Sequence, residues 1–202
     1  LLLHTLERVG IDVRDAVRLS ARKRDVDDTT YRALWRAAEE RGLMPQHALE
    51  MARHYLVGAV GPADIAAFTA PTVRGALDVL SRAWAGVSGA GEHLRVHTRG
   101  GALHVTLEHR VPDHPMADAF ALASIVDRLR LHAAGPLALT SVSMVLARPA
   151  GRDGAAQADA FVRFFGAPVR WAAPQSGFQL GAAAGDTPLT TSSQVLHARV
   201  VA

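Results

Sequence analysis

The strongest constraint on the fold is a hairpin pattern in residues 92–111, EHLRVHTRGGALHVTLEHRV. Two runs of alternating apolar and polar residues flank Gly100-Gly101, and two glycines between such runs favour a two-residue turn because both reach positive φ without strain. That turn predicts a register in which His97 faces His104. Alternation then predicts an apolar face of Leu94, Val96, Leu103, Val105 and Leu107. The opposite, polar face is predicted to carry His93, Arg95, His97, His104, Thr106 and Glu108.

The hairpin follows a predicted helical half of the chain and precedes a part in which helices and strands alternate. Helices are predicted at 1–9, 12–18, 28–42, 45–56, 65–69 and 71–87, with a charged loop at 20–27. After the hairpin we predict a helix at 116–133, a strand at 137–147, a helix at 153–166, and strands at 168–171 and 177–180. The order ββαβαββ after helices predicts an α+β fold, with the helical half packed on a mostly antiparallel sheet. The helix at 116–133 is apolar almost all round, so it should be buried on more than one side.

The chain is expected to form one domain and a tail. Residues 1–180 form the predicted domain, with a helical part at 1–87 and an α/β part at 92–180. Residues 181–202 are small and polar up to Ser193, which is typical of a linker or a poorly ordered segment. The first residue is not Met and the last residues resemble an element about to continue, so a longer parent protein is expected.

Composition excludes several classes of function. Lysine and arginine number 22 against 19 acidic residues, so the net charge of +3 gives weak support for direct nucleic-acid binding. Cysteine is absent, which removes disulfides and thiolate metal sites and suits a reducing cytoplasm. No apolar run approaches the length of a membrane span.

The sequence contains no convincing catalytic constellation. There is no G-x-S-x-G elbow, no cysteine nucleophile and no phosphate-binding glycine loop. The paired carboxylates Asp27-Asp28 and Glu39-Glu40 fall on a helix cap and on a charged helix rather than in an apolar cleft. We therefore predict no catalytic residue, no cofactor and no enzymatic activity.

Histidine offers a metal-binding alternative on the polar face of the hairpin. A cross-strand pair brings Cβ atoms within about 5 Å, so His97 and His104 could share an ion, with Glu108 or His93 as a third ligand. The competing interpretation is a solvated polar face that happens to contain histidine, and the spacing matches no known metal motif. His109 and His114 flank the next turn and are expected at the surface.

Aromatic residues indicate where a small molecule could bind. Trp35, Phe68, Trp84 and Phe120 fall on predicted core faces near the junction of the helical half and the sheet. Binding pockets are mostly apolar and favour such junctions, so these four residues are the predicted ligand-binding site. The simpler interpretation is that they only pack the core.

Three stretches carry a family resemblance: GPADIAAFTAPTVRGALDVLSRAW (61–84), LRVHTRGGALHVTLEH (94–109) and ADAFVRFFGAPVRWAAPQSGFQL (158–180). In their order and spacing they resemble the N-terminal effector-sensing region of AraC/XylS-type bacterial transcription regulators, the subgroup labelled arabinose-binding-like. The signature residues are Gly58 and Gly61, the helix start Pro71-Thr72-Val73, and Phe165-Gly166-Ala167-Pro168-Val169 followed by Ala173-Pro174. The sequence departs from the family pattern at Asp64, where relatives often carry a further glycine.

The resemblance implies a sensor. It implies that this portion binds a small-molecule effector and helps form a homodimer. It also implies that the parent protein contacts DNA only through a C-terminal unit of two helix-turn-helix motifs. The chain as given ends at Ala202, before any such unit. The alternative is a stand-alone small-molecule or metal-binding domain that uses His97 and His104.

Overall fold

The structure, a computed structural model, describes residues 28–55, 57, 61–88, 92–109 and 114–201. The helices and strands are α1 (Asp28–Glu40), α2 (Pro45–Arg53), α3 (Pro62–Phe68), α4 (Val73–Ser88), β1 (Glu92–Arg99), β2 (Ala102–His109), α5 (Pro115–His132), β3 (Leu139–Ser143), α6 (Gly154–Phe165), β4 (Val169–Arg170), β5 (Gly177–Leu180), a 3-10 helix (Ala182–Asp186) and α7 (Gln194–Val201). The predicted helices at 1–9 and 12–18, the loop at 20–27 and the signature residue Gly58 lie outside the described residues. No described helix is long and apolar enough to cross a membrane.

The five strands form one sheet in the order β1-β2-β5-β3-β4. The pairings β1–β2, β2–β5 and β5–β3 are antiparallel, whereas β3–β4 is parallel. The α+β class, the mostly antiparallel sheet and the strand and helix order ββαβαββ are therefore confirmed.

The hairpin has the predicted register. Its pairing runs from Glu92 opposite His109 to Arg99 opposite Ala102. Gly100 and Gly101 take φ values of +58° and +80°, the conformation that made glycine the expected residue there. Four of the five residues predicted to face inward are buried, namely Leu94, Leu103, Val105 and Leu107. The fifth, Val96, is partly buried and packs against the core, so this face of the hairpin points into the core.

Helix α5 runs through the centre of the molecule. Twelve of its residues are buried, which confirms that it is covered on more than one side. It packs against α2 and also contacts α3, both from the helical half. Since α5 follows the hairpin directly, it connects the sheet to those helices.

The strand predicted at 137–147 is shorter in the structure. Its ladder covers Leu139–Ser143 and contains a register shift between Leu139 and Ser141. Beyond Ser143, the backbone N–H of Val145 donates to the buried hydroxyl of Ser176 at 3.0 Å. On the β5 side, this side-chain hydroxyl replaces the next backbone partner of the ladder. On the other side, backbone hydrogen bonds continue irregularly, since the N–H of Met144 donates to the carbonyl of Arg170 at 2.9 Å.

Residues 187–197, within the segment predicted as a linker, pack on the domain. The backbone N–H of Leu189 donates to the carbonyl of Pro71 at 3.1 Å, and that of Thr190 donates to the carbonyl of His132 at 2.7 Å. Leu189 is buried, and the ring nitrogen Nδ1 of His197 on α7 lies 2.9 Å from the carbonyl oxygen of Ala66. Many of these contacts are backbone hydrogen bonds between segments distant in sequence, which periodicity in the sequence does not reveal.

Arg130 links α5 to the end of α6. Both terminal nitrogens of its guanidinium donate to the carbonyls of Phe164 and Phe165, and burial lowers the pKa of the guanidinium, with Asp127 opposing that shift. These carbonyls belong to the last turn of a helix, where no intrahelical N–H remains to bond them.

We expect Arg130→Ala to lower the free energy of unfolding by about 2 kcal/mol, since it removes two charge-assisted hydrogen bonds and leaves carbonyl groups without donors. Urea denaturation measures the change. The matched control is Arg163→Ala, which removes an exposed arginine from the same end of α6. Equal effects of the two substitutions would contradict the capping role of Arg130.

Candidate functional site

The start of α5 is built around His114. Its Nδ1 accepts a hydrogen bond from the backbone N–H of Met116 at 3.4 Å, and its Nε2 lies 3.1 Å from a carboxylate oxygen of Glu39 on α1. The imidazole stacks on the indole of Trp35, with centroids 6.1 Å apart and planes 16° apart. The side chain is 10% exposed. The surface position predicted for His114 is therefore wrong, because helix α1 covers it.

A second polar group lies beside this helix start. The hairpin register sets Glu92 opposite His109, and the first turn of α5 brings Asp118 to the same place. His109 Nε2 lies 2.9 Å from Asp118 Oδ1, and His109 Nδ1 lies 3.6 Å from Glu92 Oε1. All three side chains are largely buried, so the surface position predicted for His109 is also wrong. The alternating pattern predicted that His109 lies at the end of β2, but it could not reveal that α5 packs against this side chain.

Two of the four predicted site residues meet at this end of α5. Trp35 and Phe120 lie with ring centroids 5.9 Å apart, and Tyr55, which was not in the predicted set, lies 6.3 Å from Phe120. Trp35 is fully buried and Phe120 is 8% exposed. The three rings form an aromatic wall next to the stacked His114.

Trp84 lies toward the same end of the sheet. Helix α4 runs antiparallel to β1, since Arg74 donates to the Thr98 hydroxyl at 3.0 Å and Ser81 donates to the Leu94 carbonyl at 2.7 Å. Trp84 follows Ser81 by about one turn, which carries it toward Glu92. Trp84 is buried.

Phe68 is placed elsewhere. Its ring lies 5.6 Å from that of His132, at the C-terminal end of α5. His132 follows Phe120 by twelve residues, a separation of about 18 Å along a helix axis. The structure therefore separates Phe68 from the other three predicted residues along α5.

The surroundings of His132 predict a pH effect on stability. Burial lowers the pKa of His132 from its ordinary value of 6.5, and the positive charge of Arg128 lowers it further. The unfolded chain therefore binds a proton at higher pH than the folded chain does, and this group makes the fold less stable as pH falls below about 6.5.

We expect His132→Phe to reduce the loss of unfolding free energy between about pH 7.5 and pH 5.5, because the ring contact with Phe68 remains while the proton-binding site is gone. Urea denaturation at the two pH values tests this, with His97→Phe on the outer face of the hairpin as the control. An unchanged pH dependence in His132→Phe would refute the assignment.

The histidine pair of the metal-binding alternative lies on the outer, polar face of the hairpin. The rings of His97 and His104 are stacked, with centroids 5.0 Å apart and planes 13° apart. Arg95 and Glu108 form an exposed ion pair on the same face at 3.0 Å. Within the described residues, the group of three side chains that could hold a metal ion is Glu92, His109 and Asp118, not the His97–His104 pair.

A surface depression of about 400 Å³ lies apart from the aromatic wall. It follows the outer side of α1 and is lined by Arg32, Arg36 and Glu40 together with two alanines. Its lining is helix surface without a convergent set of buried polar groups, so we assign the candidate site to the start of α5 instead.

The class of protein follows from comparison with known families. A family model described as the N-terminal arabinose-binding domain of the AraC transcription regulator matches residues 3–189. The chain therefore belongs to the family of N-terminal arabinose-binding domains of AraC-type transcription regulators, a regulatory family rather than an enzyme family.

A solved structure shares the fold. The crystal structure of the transcriptional regulator CdpR from Pseudomonas aeruginosa superposes with a TM-score of 0.67 at 17% sequence identity, covering 93% of this chain and 59% of that one. At this identity the likeness shows the fold alone. The chain spans about three fifths of the length of that regulator. Curated protein sequences gave no match.

Proposed function

We propose that this chain is the effector-sensing domain of an AraC-type transcription regulator and that a small molecule binds at the start of α5. The observation that carries the proposal is that the first turns of α5 contribute to two clusters, with Phe120 in the aromatic wall and Asp118 in the buried polar group. Ligand sites combine a mostly apolar lining with a few converging polar groups, which is the composition found here.

The fold offers a route from this site to the C-terminal end of the chain. The site surrounds the first turns of α5, whereas the C-terminal end of α5 contacts the segment that precedes α7. The N–H of Thr190 donates to the carbonyl of His132 at 2.7 Å, and the N–H of Ala134 donates to the carbonyl of Pro188 at 2.8 Å. A ligand that displaces α5 would alter those bonds. It shifts the domain between two states only if it binds one of them more tightly, so the effector must distinguish two positions of α5.

Homodimerisation and DNA binding belong to the same proposal. Helix α7 exposes Val195 and Leu196, with 68% and 43% of their surfaces accessible, and these apolar side chains suit a contact with a second copy. DNA contact is proposed to occur through a separate C-terminal domain of the parent protein, in the cytoplasm. The near balance of charge in this chain agrees with DNA binding by a separate domain.

The test compares two core phenylalanines. A screen first identifies compounds that raise the melting temperature of the wild-type chain, and calorimetry then measures their affinity for Phe120→Ala and Phe161→Ala at a temperature where both variants are folded. Phe161 lies on α6, outside the candidate site, and is fully buried against Trp171. We expect Phe120→Ala to weaken binding at least tenfold and Phe161→Ala to leave it nearly unchanged.

Trp84→Ala extends this test to the third residue at this end of the sheet. If Trp84 contributes to the site, Trp84→Ala reduces the free energy of effector binding by more than it reduces the free energy of unfolding. Equal affinities for all three variants and the wild type would contradict the proposed location.

A further inference from the structure

We propose that Glu92, His109 and Asp118 bind one divalent transition-metal ion, for which Zn²⁺ is the reference. This site lies beside the aromatic wall and is independent of the identity of the effector. It differs from the His97–His104 pair both in position and in ligand chemistry.

The three ligands come from three separate elements. Glu92 begins β1, His109 ends β2 and Asp118 lies in the first turn of α5. One potential ligand atom from each residue lies within 4.8 Å of the others. Zinc holds nitrogen and oxygen ligands at about 2.0–2.2 Å, so atoms bound to one tetrahedral ion stand roughly 3.4 Å apart.

Asp118 supplies the second observation. Its side chain is 4% exposed, and its Oδ1 accepts no hydrogen bond from any described residue although it lies 2.9 Å from His109 Nε2. A buried carboxylate oxygen without a donor destabilises the folded chain. A cation at this point would give Asp118 Oδ1 a partner.

The ligand types select the class of metal. One imidazole nitrogen and two carboxylates suit zinc, manganese or ferrous iron, whereas magnesium and calcium prefer oxygen ligands alone. Three protein ligands leave a fourth position for water, as in open zinc sites. A bound ion would tie the open end of the hairpin to the start of α5 and stabilise the folded chain by mass action.

The experiment uses the whole 202-residue chain after treatment with a chelator. Calorimetric titration with zinc sulphate alone should show one ion per chain and a rise in melting temperature. His109→Gln and Asp118→Asn should each weaken zinc binding at least tenfold, because each removes a direct ligand. The matched control is the double variant His97→Gln/His104→Gln, which should bind zinc as the wild type does.

Folding is checked by circular dichroism before each titration. If His109→Gln does not fold, Asp118→Asn and Glu92→Gln decide the question, since both preserve side-chain shape. Failure of the wild type to bind zinc, manganese or ferrous iron at millimolar concentration would overturn the proposal. Binding that persists in Asp118→Asn but is lost in the His97→Gln/His104→Gln variant would overturn it as well. Neither result bears on effector binding, which the Phe120→Ala comparison tests separately.

Discussion

Gly177→Ala should lower the free energy of unfolding by about 3 kcal/mol, the upper end of what overpacking costs. Gly177 begins β5 and lies between β2 and β3 in the middle of the sheet. A Cβ atom there would lie 2.4 Å from the carbonyl oxygen of Val105 and 3.2 Å from the Cα of Thr106. These are backbone atoms, which cannot turn aside, so the pairing of β5 with β2 must shift.

The control is Gly181→Ala, at the other end of the same strand. A Cβ atom at Gly181 meets nothing within 4 Å, and its φ of −60° suits alanine. We expect this variant to be neutral or slightly stabilising, because alanine reduces the freedom of the unfolded chain. Urea denaturation of both variants provides the comparison. Equal stability of the two would show that the sheet is not packed as described at Gly177.

Trp35→Ala should cost about 3–5 kcal/mol, the usual range for truncating a large buried aromatic. Trp35 is fully buried, stacks on His114 and contacts Phe120. Its removal leaves a cavity at the start of α5 and exposes the stacked imidazole. Thermal and urea denaturation measure the loss.

Two further variants give the Trp35 result its meaning. Trp35→Phe keeps an aromatic ring and should lose less stability than Trp35→Ala. Val162→Ala removes an exposed apolar side chain from α6 and should change the free energy of unfolding by less than about 0.5 kcal/mol. If Trp35→Ala resembled Val162→Ala, the aromatic wall would not be part of the folded core.

The parts of the fold that local chemistry determines were predictable from the sequence. The hairpin register followed from Gly100-Gly101 and strict alternation, and the burial of α5 followed from apolar residues on all of its sides. These patterns depend on neighbours in sequence, so the residues alone contain the information.

Other features could not be predicted from the sequence, because they depend on contacts between segments that are distant in the chain. The burial of His109 and His114 comes from α5 and α1 closing over them, and neither side chain carries a local signal of burial. The packing of 187–193 is made by backbone hydrogen bonds to 69–73 and 132–134, which any small polar sequence could form. Asp64, the departure from the family pattern, lies buried in the first turn of α3.

The candidate site was predictable in part. Aromatic residues on helix faces predicted Trp35 and Phe120 as site residues, and the structure brings their rings together. Helical spacing could not tell which end of α5 each neighbour would reach. The structure therefore adds Tyr55 to the wall and moves Phe68 to the far end. A search for histidines with carboxylate partners across the hairpin would have pointed to the polar group, since continuing the predicted register by one pair sets Glu92 opposite His109.

The most direct test of the sensing site is fluorine NMR of the chain labelled with 5-fluorotryptophan. The sequence contains three tryptophans, at 35, 84 and 171, and each signal is assigned with the corresponding Trp→Phe variant. Addition of a compound that raises the melting temperature should shift the signal of Trp35, with a smaller shift of Trp84, and leave Trp171 in place, since Trp171 packs on Phe161 outside the site. A shift confined to Trp171 would contradict the assignment of effector binding to the start of α5.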